Sequence, residues 1–394
     1  MSKILLHKIY YQLDIIFPAL IVSMLILFPD LVSISIILYI LVLITQKKFD
    51  YSKIPSGLHF TMISFYLMYV ISLIWTTDIK NGLFDCEVKL SLFVFPLIIS
   101  FLNSSKEKIE KTLLSISWSI IIVTAFLILR SAYSYFTQGL LLTYNDFSIN
   151  THPTYYSMYA LFAMIYILFQ FNNHWKWFIL LILSAGIILS SSKAGFISLL
   201  FIISVYAFFR WKLIYVLFTI AILFSITYYL LYKTNYLNFL SDRIKTTQEI
   251  FNQYLHNEPL RIESNSVRLY AWKAAVVTIL NNNWLIGTGC GDVHQHLNEY
   301  FQKNNLHILA EKNINAHNTY FEIWLAIGII GLILFLYLII GIIKKSFKQK
   351  VYFGAYYFIS LALFYFTTEA MLETQGGTVF FGLISSLIIK YLKL

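Results

Sequence analysis

A chain of 394 residues with 59% hydrophobic and only 12% charged residues cannot cover a water-soluble surface, where roughly 25% of residues carry charge. Its formal charge of +10 does not point to nucleic acid. The Lys and Arg sit in short breaks between apolar runs, as the topology signals of a membrane protein do. A soluble domain and a nucleic-acid-binding module are both excluded.

Apolar runs of roughly spanning length centre on residues 12–28, 31–46, 58–75, 89–102, 113–136, 154–170, 176–191, 194–209, 213–232, 320–343, 352–371 and 377–392. The fold class is therefore an all-α integral membrane protein of about twelve transmembrane helices. The first run carries Asp14 and Pro18 and is followed by no small-residue cleavage site, so it reads as a span rather than a signal peptide. With the N-terminus inside, most Lys and Arg fall in short cytoplasmic loops, among them Lys47, Lys48, Lys106, Lys108, Lys111, Lys344 and Lys345. The alternation survives to a cytoplasmic C-terminus.

One connection is long. Residues 233–319 form a mostly polar external loop between the ninth and tenth spans, and ordered loops of that length are usually functional. This divides the chain into a bundle of about nine spans over 1–232, a loop domain over 233–319 and a bundle of about three spans over 320–394. Within the loop, 239–255 reads as a helix. A second starts near Ser266 and ends at Asn281–Asn283, and Asp292 caps a third that ends around Asn305. A shorter external stretch, 137–153, ends in Asn150-Thr151-His152-Pro153.

Two cysteines, Cys86 and Cys290, have no metal or redox spacing. Both fall on the external side, which leaves one disulfide open, with free thiols the expected state. His294 and His296 are two residues apart and face different ways on a helix, so no metal site is expected. Gly287-x-Gly289-x-Gly291 lacks a strand–turn–helix context and reads as a turn, not a dinucleotide loop. No cofactor is implied.

The most informative stretch is Asn315-Ala316-His317-Asn318-Thr319-Tyr320-Phe321-Glu322, entering the tenth span and running to Gly328 and Gly331. On a continuous helix, 317, 321, 324, 328, 331 and 335 share one face. Glycines there admit a close neighbour, which would hold the histidine in place. A fixed histidine at the membrane surface suits proton transfer, its ordinary pKa being about 6.5. The same pattern also fits an interfacial histidine beside a helix-packing glycine pair. Arg268, in the first turn of a helix capped by Ser266, would join a guanidinium to free backbone N–H groups, a combination suited to phosphate. An exposed loop arginine is the plainer reading. Arg130, near the outer end of the fifth span, is costly in lipid and is a second candidate anion contact, with Glu369 or Glu373 as equally acceptable partners.

His317-Asn318, nine residues, then Gly328-x-x-Gly331 resembles the O-antigen ligase and polymerase superfamily at the end of its large periplasmic loop. Ser266-Val267-Arg268 with Trp272, the glycine turn Gly287 to Gly291, and Trp75-Thr76-Thr77-Asp78 with Leu90 to Pro96 extend that likeness. His152-Pro153 and Glu369 with Glu373 and Gly376 are weaker echoes. The resemblance implies a glycosyltransferase of the bacterial inner membrane with its active site facing the periplasm. It would move a glycan from undecaprenyl diphosphate to a lipid A-core hydroxyl with inversion, without metal or cofactor. It makes His317 the general base and Arg268 a contact for the donor diphosphate. Asn318, Glu322, His152 and Glu369 are secondary candidates. Lys193, in Ser190-Ser191-Ser192-Lys193, stands where the superfamily usually has an arginine for the diphosphate. Lysine keeps the charge but not the bidentate fork, and a snorkelling loop lysine is the plainer reading. A polymerase with a second lipid-linked acceptor and a protein oligosaccharyltransferase share the motif. A flippase or transporter is the reading from a different class, and it would show paired halves with interrupted helices.

Overall fold

A computed structural model describes residues 3–45, 49, 55, 57–210 and 264–394. The expected ninth span at 213–232 and the loop helix at 239–255 lie outside the described residues. Among the described residues there is no strand, only an isolated bridge between Phe49 and Leu102. The longer helices are α1 Lys3–Leu27, α2 Val32–Thr45, α3 Leu58–Ser72, α4 Ile79–Lys89, α5 Ser91–Phe101, α6 Lys106–Gln138, α7 Pro153–Gln170, α8 Lys176–Leu189, α9 Lys193–Arg210, α10 Ser264–Asn281, α11 Val293–Lys303, α12 Thr319–Lys348, α13 Tyr352–Ser360 and α14 Gln375–Tyr391. Two of them, α6 with 33 residues and α12 with 30, are long and apolar enough to cross a membrane.

Local chemistry sets the boundaries. The Ser105 hydroxyl accepts from the Lys108 N–H to start α6, and Gly139, at φ 67°, ends it in the left-handed region that glycine adopts freely. Asp78 caps α4 by accepting from the Asn81 N–H, and Thr374 caps α14 by accepting from the Gly377 N–H. Helix α7 is the hub: every residue from Pro153 to Leu168 is buried, as expected for a helix apolar on all sides. It packs on α6, α8, α9 and α13, while α1 lies on α6, α14 on α5 and α12 on α3.

The bundle has two chemically different ends. At one, Asn150 and Thr151 donate to carbonyls at the end of α1, the Tyr144 N–H donates to Leu189 O at the end of α8, and α7, α9 and α12 begin. At the other, Lys108 pairs with buried Asp14, Lys390 donates to Ser100 O, and the Tyr166 and Tyr391 hydroxyls donate to Glu110. The loop lysines Lys106, Lys111, Lys344, Lys345 and Lys348 share that second end by their places on α6 and α12.

Helix α12 departs from the sequence expectation. Gly328 has φ 71° and ψ −175°, which breaks the helix into two. Residues 317 and 331 therefore do not lie on one continuous stripe, and the glycines do not form a groove for a neighbouring helix. Backbone from the 284–289 loop enters the break instead. The Thr288 N–H donates to Leu325 O (2.7 Å), the Gly289 N–H to Ala326 O (3.1 Å), and the Ile329 N–H to Trp284 O (3.0 Å). An added Cβ at Gly328 would lie 2.1 Å from Leu285 O. The break satisfies its freed backbone groups with protein, the condition for irregular backbone at membrane depth.

The same loop is locked to the chain's first half. Asp292 stands at the N-cap position of α11, but its side chain makes no cap there. Its carboxylate accepts from the Thr77 N–H (2.7 Å), the Thr77 hydroxyl (3.0 Å) and the Asp78 N–H (2.8 Å). Two motifs more than 200 residues apart thus form one unit. Cys290 packs inside it, and both cysteines are buried and free.

Candidate active site

The site is built where α12 begins. Asn318 caps that helix, its side-chain oxygen accepting from the Tyr320 and Phe321 N–H groups (2.9 and 3.1 Å). One residue earlier, His317 occupies the left-handed region at φ 45°, a conformation that costs a non-glycine residue about 1–3 kcal/mol. Its neighbours hold it there. The Glu322 carboxylate accepts from the Ala316 N–H at 2.5 Å, the Asn315 side-chain oxygen accepts from the His317 N–H at 3.0 Å, and Trp272 donates to His317 O at 3.5 Å. Glu322 and Asn318 thus position the loop and the helix start, and neither projects as a separate acid or base.

Opposite His317 runs the segment 366–374. The predicted span over 352–371 does not continue that far: α13 passes into a π turn at Leu361–Tyr365 and the helix then stops. Glu369 consequently lies in a connection. Thr319 grips this connection from three directions. Its N–H donates to Phe366 O (2.8 Å), its hydroxyl donates to Glu369 O (2.7 Å), and that hydroxyl accepts from the Met371 N–H (2.9 Å). Asn318 adds a bond to Thr367 O (3.1 Å).

On this support Glu369 joins the two leading candidates. One carboxylate oxygen lies 3.0 Å from His317 Nδ1, and the other accepts from Arg268 Nη2 at 2.6 Å. Arg268 Nε also donates to Thr368 O at 3.0 Å. The His317 and Arg268 side chains keep 25% and 23% of their surface exposed, so the dyad opens to an approaching molecule. Burial works against the charge on Glu369, but the His317 hydrogen bond and the neighbouring positive groups outweigh it and hold the carboxyl below its usual range. An ionised carboxylate only accepts. Nδ1 is therefore the donor in this pair, and in the neutral ring so held Nε2 would keep the lone pair, the arrangement of an oriented base.

The depressed acidity of Glu369 carries a sign. Its pairing contributes stability above the ordinary carboxylate pKa, near 4.3, and that contribution is lost as pH falls through the lower folded value. Thermal unfolding in detergent should show this acid loss in the wild type and a shallower loss in Glu369→Gln. Equal slopes would contradict the pairing.

The remaining candidates distribute around this end. His152 caps α7, its Nδ1 accepting from the Thr154 N–H at 3.3 Å. Burial, with the charges of Arg268 and His317, lowers its pKa against the pull of Glu369, so it feels the site electrostatically. Lys193 opens α9 and is exposed. Arg130 donates to Asp146 O; it pairs with neither carboxylate, because Arg268 and His317 hold Glu369 while Lys89 holds Glu373. Arg268 needs one correction. Helix α10 already runs at Ser264, so buried Ser266 is not its cap and Arg268 lies past the first turn. Among the described residues its side chain is held by Glu369 and Thr368. Sequence reading missed Thr319 and Lys89 and ranked Glu369 low. The available signal was a pair of carboxylates in an apolar run, which lipid makes costly.

Residues 178–336 match the family model described as O-Antigen ligase. Over that stretch the chain is similar to the O-antigen ligase family. The matched stretch contains Lys193, Arg268 and His317, and ends just past the break in α12. That similarity, at the level of the family, is to membrane glycosyltransferase-like enzymes, and the all-helical bundle is in keeping with it. No curated protein matches the chain.

Proposed function

We propose that the protein is an O-antigen ligase that moves a glycan from undecaprenyl diphosphate to a lipid A-core hydroxyl on the periplasmic face. The observation that carries this reading is the convergence of His317 and Arg268 on Glu369, at 3.0 and 2.6 Å. The acceptor oxygen attacks the anomeric carbon, and its proton passes to His317 Nε2 as the new bond forms. The bond from that carbon to the diphosphate breaks, and the electron pair leaves with the polyprenyl diphosphate. Arg268, with Lys193 at the same end of the bundle, offsets the negative charge that grows on the leaving group. A single attack from the opposite side inverts the anomeric centre.

The membrane placement belongs to the same proposal. About twelve spans would set the lysine-rich end, with both chain termini, in the cytoplasm and the His317 end in the periplasm. Ligase is preferred to polymerase because the 137–153 stretch is bound down onto α1, α6 and α8. It forms no second external domain. The transporter reading draws no support from the break in α12, which is filled by the protein's own backbone.

The test is purified protein with carrier-linked glycan and lipid A-core acceptor, the product's anomeric configuration being read by NMR. To Thr368 and Glu369 alone Arg268 makes two directed bonds from one guanidinium, which lysine cannot reproduce. Arg268→Lys should therefore lower kcat/KM by about tenfold. Absence of transfer by the wild type, or retention of configuration, would remove the proposal.

A further inference from the structure

Beneath the site lies a charged cluster with no part in the chemistry above. Lys89, the last residue of α4, has 0% of its side chain exposed. Its ammonium lies 2.8 Å from Glu373, pairs with Asp85 one turn earlier, and sits 4.9 Å from the Tyr69 ring centroid. Enclosing a cation with two carboxylates is expensive in desolvation, and well-packed apolar residues would often serve stability as well. Such a network asks for a role in fixing one arrangement.

Glu373 supplies that role. It stands four residues after Glu369 in the same 366–374 connection. The first half of this connection is held by Arg268, Asn318 and Thr319, on the side of His317. In the second half the Met371 N–H still donates to the Thr319 hydroxyl (2.9 Å), and beyond Met371 no such contact is seen among the described residues. There the Glu373 N–H returns to Ala370 O (3.1 Å), and Tyr155 reaches the same carbonyl at 3.5 Å. Lys89 is the charged anchor of this half. Its helix is tied in turn to α14 through the Thr378 hydroxyl, which donates to Val88 O at 2.8 Å. The connection is thus stretched between two supports, with the base-orienting carboxylate between them.

We infer that Lys89 is a positioning residue for transfer: through Glu373 it fixes the connection that presents Glu369 to His317. This rests on the proposed role of His317. Without the cation, Glu373 and Asp85 cannot both stay ionised side by side, Glu373 loses its charged anchor, the connection shifts, and Glu369 no longer aligns the imidazole. Displacements of about 1 Å at a catalytic group are enough to cost about a hundredfold in rate.

The experiment compares Lys89→Met, Lys89→Arg and Glu373→Gln with wild type and His317→Ala, using carrier-linked glycan and lipid acceptor extracted from the source membranes. Folding is monitored by gel filtration and thermal unfolding. Glu373→Gln leaves Lys89 paired with Asp85, and so remains informative if Lys89→Met does not fold. The expected result is a folded Lys89→Met or Glu373→Gln protein whose kcat falls about tenfold or more, with acceptor KM within about twofold of wild type. Lys89→Arg should restore most of that loss. Wild-type kcat in either folded variant overturns the inference, as does failure of both to fold, which would make the cluster structural only. An active His317→Ala protein would instead remove the base assignment, so the two failures are told apart.

Discussion

Replacing His317 by alanine should lower glycan transfer by about 10²–10⁴-fold, the range contributed by a positioned general base. The protein should remain folded. The bonds that shape the 315–322 turn come from backbone, Asn315, Asn318 and Glu322, and the imidazole contributes one hydrogen bond to Glu369. Glu369→Gln gives the informative comparison. A carboxamide keeps the size but can donate to Nδ1, which turns the ring toward the tautomer with its proton on Nε2. Such a ring cannot accept from the acceptor hydroxyl. Glu369→Gln should therefore lose most of the activity lost by His317→Ala, and the double variant should be little worse than His317→Ala alone. Transfer is followed by gel mobility of the glycosylated acceptor under saturating donor. Near-wild-type rates in His317→Ala would show that another group takes the proton. Additive losses in the double variant would show that Glu369 acts independently of the ring.

Gly328→Ala should prevent accumulation of folded protein. Position 328 has φ 71° and ψ −175°, a region open essentially to glycine alone, which costs other residues about 1–3 kcal/mol in backbone strain. The new methyl would also lie 2.1 Å from Leu285 O and 2.5 Å from Ile286 N. Both are backbone atoms of the loop that fills the break, so neither can rotate away. Relief requires withdrawing the loop, which strands the Leu325 and Ala326 carbonyls inside the bundle. Gly331→Ala is the control, because the three atoms nearest its added Cβ all belong to the Ile327 side chain, not to backbone. Gel filtration in detergent should show aggregated Gly328→Ala and largely monodisperse Gly331→Ala. If both behaved alike, the two glycines would be serving a helix-packing stripe after all.

These two residues also mark how far sequence reading reached. His317 was legible because a histidine followed by Asn318 and a spaced glycine pair is a local pattern, and the apolar run after it located the helix. Gly328 was legible as important, but for another reason. Periodicity assumes an unbroken helix, and nothing local to 319–331 reveals that the 284–289 loop supplies the missing backbone partners. Asp292 was read as a cap for the same reason: its real partners, Thr77 and Asp78, belong to another part of the chain. Arg130 was offered Glu369 or Glu373 as a partner, and in the fold it donates to the Asp146 carbonyl instead of to either carboxylate.

By itself, then, the sequence determined the helical class, the positions of the apolar helices, the uneven distribution of lysines and the identity of His317 and Arg268 as leading candidates. The first three follow from composition and short-range spacing, whereas His317 and Arg268 led only through the resemblance to the O-antigen ligase and polymerase superfamily. Tertiary structure alone decided that Glu369 bridges those two groups, that Lys89 is buried between two carboxylates, and that α12 is broken and repaired by a distant loop. A hydrogen-bonded pair separated by 52 residues, or an ion pair separated by almost 300, leaves no periodic trace along the chain. Its partners become neighbours only when burial of the apolar faces brings the helix ends together.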